Sequence, residues 1–158
     1  MEAVRRAEPG DLDRCRELVA EAIAAMAGQR GAALLLATEP ASASASHTAT
    51  SLVDRWAADE NTEMLVGTFS DVVVGIVAGT VTHLGDRAVG RIECFYVEPD
   101  ARAVGVGQAI VQSLVEWFDA QGCTDVDAVA LPGDRSSKQL LESSGFKARL
   151  LILHRPLH

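Results

Sequence analysis

Apolar residues recur at Leu12, Cys15, Leu18, Val19, Ala22, Ile23 and Met26, a spacing of three and four that marks one face of an amphipathic helix. Asp11 stands at the N-cap position of that helix, and Gly28 and Gly31 close it. Ala3–Arg6 reads as a short strand ahead of it, ended by Pro9 and Gly10. Leu52, Val53 and Trp56 predict a second helix over Leu52–Ala58. Between the two helices lies Thr38–Thr50, a Ser/Ala tract without periodicity that reads as a loop.

From Glu63 the period changes to alternation. Met64–Phe69, Val72–His83 and Arg87–Val97 are three strand-like runs joined by Ser70-Asp71 and by Leu84-Gly85-Asp86, an antiparallel meander. Ala101–Gly107 is a glycine-containing loop, followed by a helix with Ile110, Val111, Leu114, Trp117 and Phe118 on one face and Gly122 after its end. Val126–Leu131 has strand length, Pro132-Gly133-Asp134 opens a helix over Arg135–Ser144, and Lys147–Leu157 reads as a last strand. The order β-α-α-β-β-β-α-β-α-β, with no repeat or linker, predicts one domain over residues 1–158. Strands flanking the Trp117 helix need a crossover and should run parallel, so a mixed sheet of the α/β or α+β class follows.

Composition narrows the partners. The chain has 158 residues and a formal charge of −8, which argues against nucleic acid because phosphate neutralisation needs a basic face. No apolar run approaches the length of a membrane helix, and the first residues lack the apolar region of a signal peptide, so no membrane partner is expected. Cys15, Cys94 and Cys123 are odd in number and far apart, which suits a reducing cytoplasm better than a disulfide framework. None of the four histidines has metal-ligand spacing with another histidine or cysteine, and no metal is expected.

The most informative stretch is Tyr96 to Gly107. Glycines at 105 and 107, between a strand and a helix, let several backbone N–H groups converge at a helix start, an arrangement suited to a pyrophosphate. A dinucleotide-binding G-x-G-x-x-G would need glycine where Ile110 stands, and the Gly-Lys-Ser/Thr of a P-loop is absent. Arg102-Ala103-Val104-Gly105-Val106-Gly107 resembles the [Arg/Gln]-x-x-Gly-x-[Gly/Ala] signature of the GNAT superfamily of acyl-CoA-dependent N-acyltransferases. Ile92–Val97 with Glu98-Pro99 resembles that family's fourth strand, and Asp134 through Gly145-Phe146 its last helix.

The resemblance implies an acetyl-CoA-dependent enzyme. Backbone N–H groups of Ala103, Val104, Gly105, Val106 and Gly107, beside Arg102, would hold the pyrophosphate, and the backbone of Phe95 and Val97 would pair with pantetheine. The Val97 N–H or its neighbour would polarise the thioester carbonyl toward direct attack by an amine. Asp134 stands where the family often has asparagine, and either accepts from pantetheine or caps the helix it precedes. Leu141 stands where the family often has a proton-donating tyrosine, with Ser137 and Ser144 as weak substitutes. A single strand after Gly145 leaves an open sheet edge, from which a homodimer is expected.

An attacking ammonium must lose a proton, and Glu93 is the candidate base. Strict alternation puts it on one face with Arg91, Phe95 and Val97, with Cys94 opposite and Arg91 as its alternative ion-pair partner. Glu98 should be exposed, His83 should face solvent at a turn, and His47 lies in the Ser/Ala loop. Tyr96 and Trp56 read as core, and Cys94 as a small buried hydrophobe. The expected activity is transfer of an acetyl group to a primary amine of a small molecule or peptide. A non-catalytic acyl-CoA-binding module is the competing expectation, favoured by Leu141 and by Ala103 where glycine is common.

Overall fold

The alternating run from Thr62 onward becomes three long antiparallel strands because its two joints accept tight turns. A computed structural model describes residues 2–38 and 48–158. It comprises β1 (Glu2–Arg6), α1 (Leu12–Met26), α2 (Ala32–Thr38), α3 (Ala49–Ala58), β2 (Thr62–Phe69), β3 (Val72–Leu84), β4 (Arg87–Val97), α4 (Val106–Ala120), β5 (Asp125–Asp127) and α5 (Arg135–Ser143). Ser70 and Asp71 both take positive φ (49° and 66°), the conformation of a two-residue hairpin turn whose twist matches its strands. The sheet runs β1-β2-β3-β4-β5, antiparallel throughout except for the parallel β4–β5 pair, which is the crossover expected around α4.

Helices cover both faces. On one side α1 and α3 bury Cys15, Leu18, Val19, Val53 and Trp56 against Val66, Ile76 and Tyr96. On the other, α4 buries Ile110, Leu114 and Phe118 against Val77, Ile92 and Val97, with Leu141 of α5 in the same cluster. The α4 side explains two strand glycines. A Cβ at Gly79 or Gly90 would lie 2.5 or 2.6 Å from the Phe118 ring, so glycine lets the phenyl ring rest on the sheet backbone.

Several sequence expectations are corrected. Ala32–Thr38 is helical, so the first helix is followed by another before the Ser/Ala tract, of which residues 39–47, His47 included, lie outside the described residues. Thr48 caps α3, its Oγ1 accepting from the Ser51 N–H at 3.2 Å, which starts that helix three residues earlier than expected. The fifth strand ends at Asp127 rather than Leu131, because Ala128 and its successors diverge from β4. The segment 147–158 has strand-like composition but joins no strand. An ion pair from Arg149 to Asp127 at 2.5 Å ties it to the sheet.

A β-bulge also breaks the alternation assumed for β4. Ala78 pairs with Cys94 and Gly79 with Ile92, so Glu93 has no opposite number on β3. Ile92, Phe95 and Val97 therefore all pack toward α4, while Cys94 and Tyr96 pack toward α1 and α3. Arg91 and Glu93 do not belong to one regular face with Phe95 and Val97, as strict alternation would require.

Candidate functional site

β5 pairs with β4 only as far as Arg91, opposite Asp127, and β4 then runs on to Val97 without it. The two strands part like a V, and a cleft of about 880 Å³ opens between them. Its floor is β4 from Arg91 to Val97, and its far wall is Ala128 to Leu131 with α5. Residues of α1, among them Ile23 and Met26, form the near wall. Across the top, the α1–α2 connection meets the loop before α5: a Cβ on Gly31 would lie 3.5 Å from Leu131, and one on Gly133 3.7 Å from the Gln29 side-chain oxygen.

Backbone donors converge at one end of this cleft. The Glu98 N–H bonds to the Val74 carbonyl on β3 at 2.9 Å, so strand alternation turns the N–H groups of Val97 and Phe95 away from β3, toward the opening. The Val97 carbonyl, on that same side, accepts from Arg102 Nε at 3.0 Å. The chain then makes a 3₁₀ turn over Pro99–Val104 and reaches Gly105, whose φ of 84° is the left-handed region open to glycine. Gly105 is also the N-cap of α4 and offers no side-chain acceptor to the helix start. The first bond into α4 runs from Ala109 N–H to the Gly105 carbonyl, which leaves Val106, Gly107 and Gln108 as helix-start donors with no partner inside the helix. Such a terminus favours an anion, and Arg102 and Arg135 line the same cleft.

Asp134 is the cap of α5. Its carboxylate accepts from the Ser137 N–H at 3.1 Å, the Ser137 hydroxyl at 2.7 Å and the Ser136 hydroxyl at 3.1 Å. Burial alone would push its pKa up, but these donors outweigh burial and hold the carboxyl below its usual range. The Ser137 hydroxyl is thereby committed to Asp134. Ser144 is absent from the cleft lining, its hydroxyl buried without a hydrogen-bond partner among the described residues. Leu141 borders the cleft, 8% exposed and packed in the α4 cluster, so that position presents no proton donor.

Further along β4 from the backbone donors stand Glu93 and Arg91, and Arg55 and Trp56 also line the cleft. The bulge delivers Glu93 there, with its side chain 12% exposed and its carboxylate 3.8 Å from Arg91 Nε. Trp56 is 4% exposed, and its indole nitrogen has no hydrogen-bond partner among the described residues. Glu98, expected to be exposed, is 29% exposed and ion-paired with Arg14 of α1, whose Nε also bonds the Val73 carbonyl at 3.1 Å. His83 is exposed at the β3 turn, away from the cleft. Tyr96 borders the cleft beneath Arg102, whose guanidinium carbon sits 5.7 Å from the ring centroid. Burial pushes the Cys94 thiol up to about 12 and the Cys15 thiol up to about 11, so neither is a nucleophile. Sequence reasoning assigned Trp56 to the core and took Arg91 only as a partner for Glu93. It missed Arg55, Arg135 and the α1 wall, because nothing local to those residues shows that they line one cleft with β4.

These features define an α/β fold with a splayed sheet and a donor-lined helix start, and they agree with known proteins. Residues 31–146 match the acetyltransferase (GNAT) family, and the chain belongs to it. A glucosamine 6-phosphate N-acetyltransferase of Trypanosoma brucei brucei is 38% identical over 64 residues, a stretch covering 40% of this chain and 42% of that protein's length. The aminoglycoside N-acetyltransferase AAC(6')-Iy, solved with a bisubstrate analog, superposes with a TM-score of 0.73 at 16% identity over 99% of this chain and 98% of its own. An acetyltransferase from Agrobacterium tumefaciens superposes at 0.69 with 20% identity, over 98% and 99% of the two chains.

Proposed function

We propose that this chain transfers an acetyl group from acetyl-CoA to a primary amine of a small molecule. The observation that carries the reading is the parting of β4 from β5 beyond Arg91, which opens one cleft to both the β4 backbone and the bare start of α4. Acetyl-CoA supplies the activated acetyl thioester when bound. The helix-start N–H groups of Val106 and Gly107, with those of the preceding turn from Ala103 and Val104 through Gly105, receive its pyrophosphate beside Arg102 and Arg135. Phe95 and Val97 offer their backbone to the pantetheine arm, and the Val97 N–H polarises the thioester carbonyl. Asp134 holds the α5 wall in place through its cap.

Glu93 takes the proton of the incoming ammonium, directly or through water. Its place at the bulge, in the cleft and beside Arg91, supports the role. The acceptor is proposed to be an amino sugar, since the curated relative's name gives glucosamine 6-phosphate and the fold neighbour's an aminoglycoside. Trp56, Arg55 and Glu93 in the cleft lining suit a ring with amino and anionic or hydroxyl substituents. Three free cysteines support a cytoplasmic setting, and the edge strand β5 supports a two-chain assembly.

The test is a free-thiol assay with acetyl-CoA and a panel of amines. Turnover with an amino sugar is expected. Binding of acetyl-CoA without turnover on any amine would favour the second reading, a non-catalytic acyl-CoA-binding module, for which Leu141 at the cleft wall is the specific observation. No binding of acetyl-CoA would remove both.

A further inference from the structure

The described residues that line the cleft reverse the charge balance of the chain. The whole protein has 22 Asp and Glu against 14 Lys and Arg, whereas the cleft presents Arg55, Arg91, Arg102 and Arg135 against Glu93 and Asp134. The Asp134 carboxylate already accepts from three donors at the start of its own helix. In the reading above, Arg102 and Arg135 attend the pyrophosphate. Arg91 and Arg55 do not. Arg91 lies six residues before Val97 on β4, about 20 Å along an extended strand. Arg55 comes from α3, which packs with α1 on the face of the sheet opposite α4.

Arg55 is also uncommitted within the protein. It is exposed, and the two acids nearest to it on its helix are engaged elsewhere. Asp54 is ion-paired with Arg16 at 2.6 Å, and Asp59 accepts from the Thr62 hydroxyl at 2.7 Å and the Asn61 N–H at 3.1 Å. Among the described residues no hydrogen bond or ion pair reaches the Arg55 guanidinium. In a chain of net charge −8, a guanidinium that lines a cleft without an acid partner is placed for an anion that a ligand brings.

We infer that the acceptor amine also carries an anionic group, a phosphate or a carboxylate, and that Arg55 receives it. The inference rests on the acetyl-transfer reading and narrows its acceptor class. The planar fork of arginine suits either oxyanion, while Glu93 serves the ammonium that reacts. A polycationic acceptor would instead bring further positive charges to a lining already rich in guanidinium, and like charges repel. Selection is therefore by the charge an acceptor carries besides its reacting amine. Because Arg55 is exposed, water screens the contact, so the preference is of modest size and weakens with salt.

The experiment is calorimetric titration of the protein saturated with CoA, so that an added anion reports on the cleft beyond the α4 start. The probes are two matched pairs, glucosamine with glucosamine 6-phosphate and alaninamide with alanine, and the polyamine spermidine. The anionic member of at least one pair should bind about fivefold tighter than its partner, and which pair does so tells phosphate from carboxylate. The preference should shrink between about 50 and 500 mM NaCl. It should fall below about twofold in Arg55→Gln, whose far-UV circular dichroism spectrum should match that of the natural chain because the position is exposed. Equal binding within both pairs, tightest binding of spermidine, or no binding of any probe would overturn the inference. A preference kept in Arg55→Gln would overturn the assignment to Arg55. A free-thiol assay with acetyl-CoA and the preferred probe reports separately on acetyl transfer. Absent turnover with the preference intact would remove that reading and leave Arg55 as an anion site, whereas failure to bind CoA would remove both.

Discussion

Arg102 donates its Nε–H to the carbonyl of Val97 at 3.0 Å, bridging the end of β4 to the turn that leads into α4. The same guanidinium lies over the Tyr96 ring. The first residue of the signature loop therefore fastens the two backbone stretches assigned to pantetheine and pyrophosphate to each other. Replacing Arg102 with alanine should lower acetyl-CoA affinity about tenfold, since a charged hydrogen bond of this kind is worth roughly 1.5 kcal/mol. Calorimetric titration at fixed ionic strength checks this, and lysine should not restore affinity fully because it lacks the planar fork.

Glu93→Gln keeps the shape of the bulge and removes the base. Turnover should fall by about 10²-fold or more, with acetyl-CoA binding retained. Steady-state rates paired with titration separate the two effects, and unchanged turnover would remove Glu93 from the reaction.

Gly90→Ala should destabilise the fold by about 1–3 kcal/mol by overpacking, because the new methyl would fall 2.6 Å from the Phe118 ring. Urea unfolding measures the loss. The double variant Gly90→Ala/Phe118→Leu should recover part of it, since the two sites share one contact.

Acid should weaken the protein through named carboxylates. The Arg5 guanidinium, bonded to Asp11 at 2.6 and 2.9 Å, holds that carboxyl below its usual range. Asp134 is lowered as well, since its serine donors outweigh the opposing effect of burial. A carboxyl whose pKa is depressed by folding contributes fully above its unfolded value and loses that contribution as pH falls through the folded one. The urea midpoint should therefore hold between pH 7 and 5 and drop below about pH 4. Arg5→Ala should lower stability at pH 7 while shrinking the difference between pH 7 and pH 3.

Alkylation should be slow at all three thiols. Burial raises Cys15 to about 11, Cys94 to about 12, and Cys123 to a lesser degree. At pH 8 Cys123 should react first and Cys15, which is fully buried, last in the folded state, as read by mass spectrometry over time.

Much of this arrangement is legible in the sequence, for local reasons. The Ser70-Asp71 turn, the periodic face of α4 and the glycine loop each depend on residues near one another, and all three appear where expected. Glu93 reached the candidate site for a reason alternation did not supply, because a bulge is set by how β3 and β4 register against each other. Arg55 shows the same limit, as its place in the cleft follows from how α3 is seated on the sheet. Leu150–Leu153 carry every local mark of a strand, yet a strand exists only with a partner, and no local pattern names one.

The bulge at Glu93 has a consequence for how this region tolerates change in length. Removing one residue there would let β3 and β4 pair in unbroken register, bringing Ile92 into regular alternation with Cys94. The result would be a straighter and better-paired strand, without the kink that delivers a carboxylate to the cleft. Most substitutions in β4 alter one side chain in place, whereas losing this single residue would remove the carboxylate and the bulge together while its neighbours keep their faces and partners. A chain shortened at Glu93 should therefore fold at least as well and lose the acceptor end of its cleft.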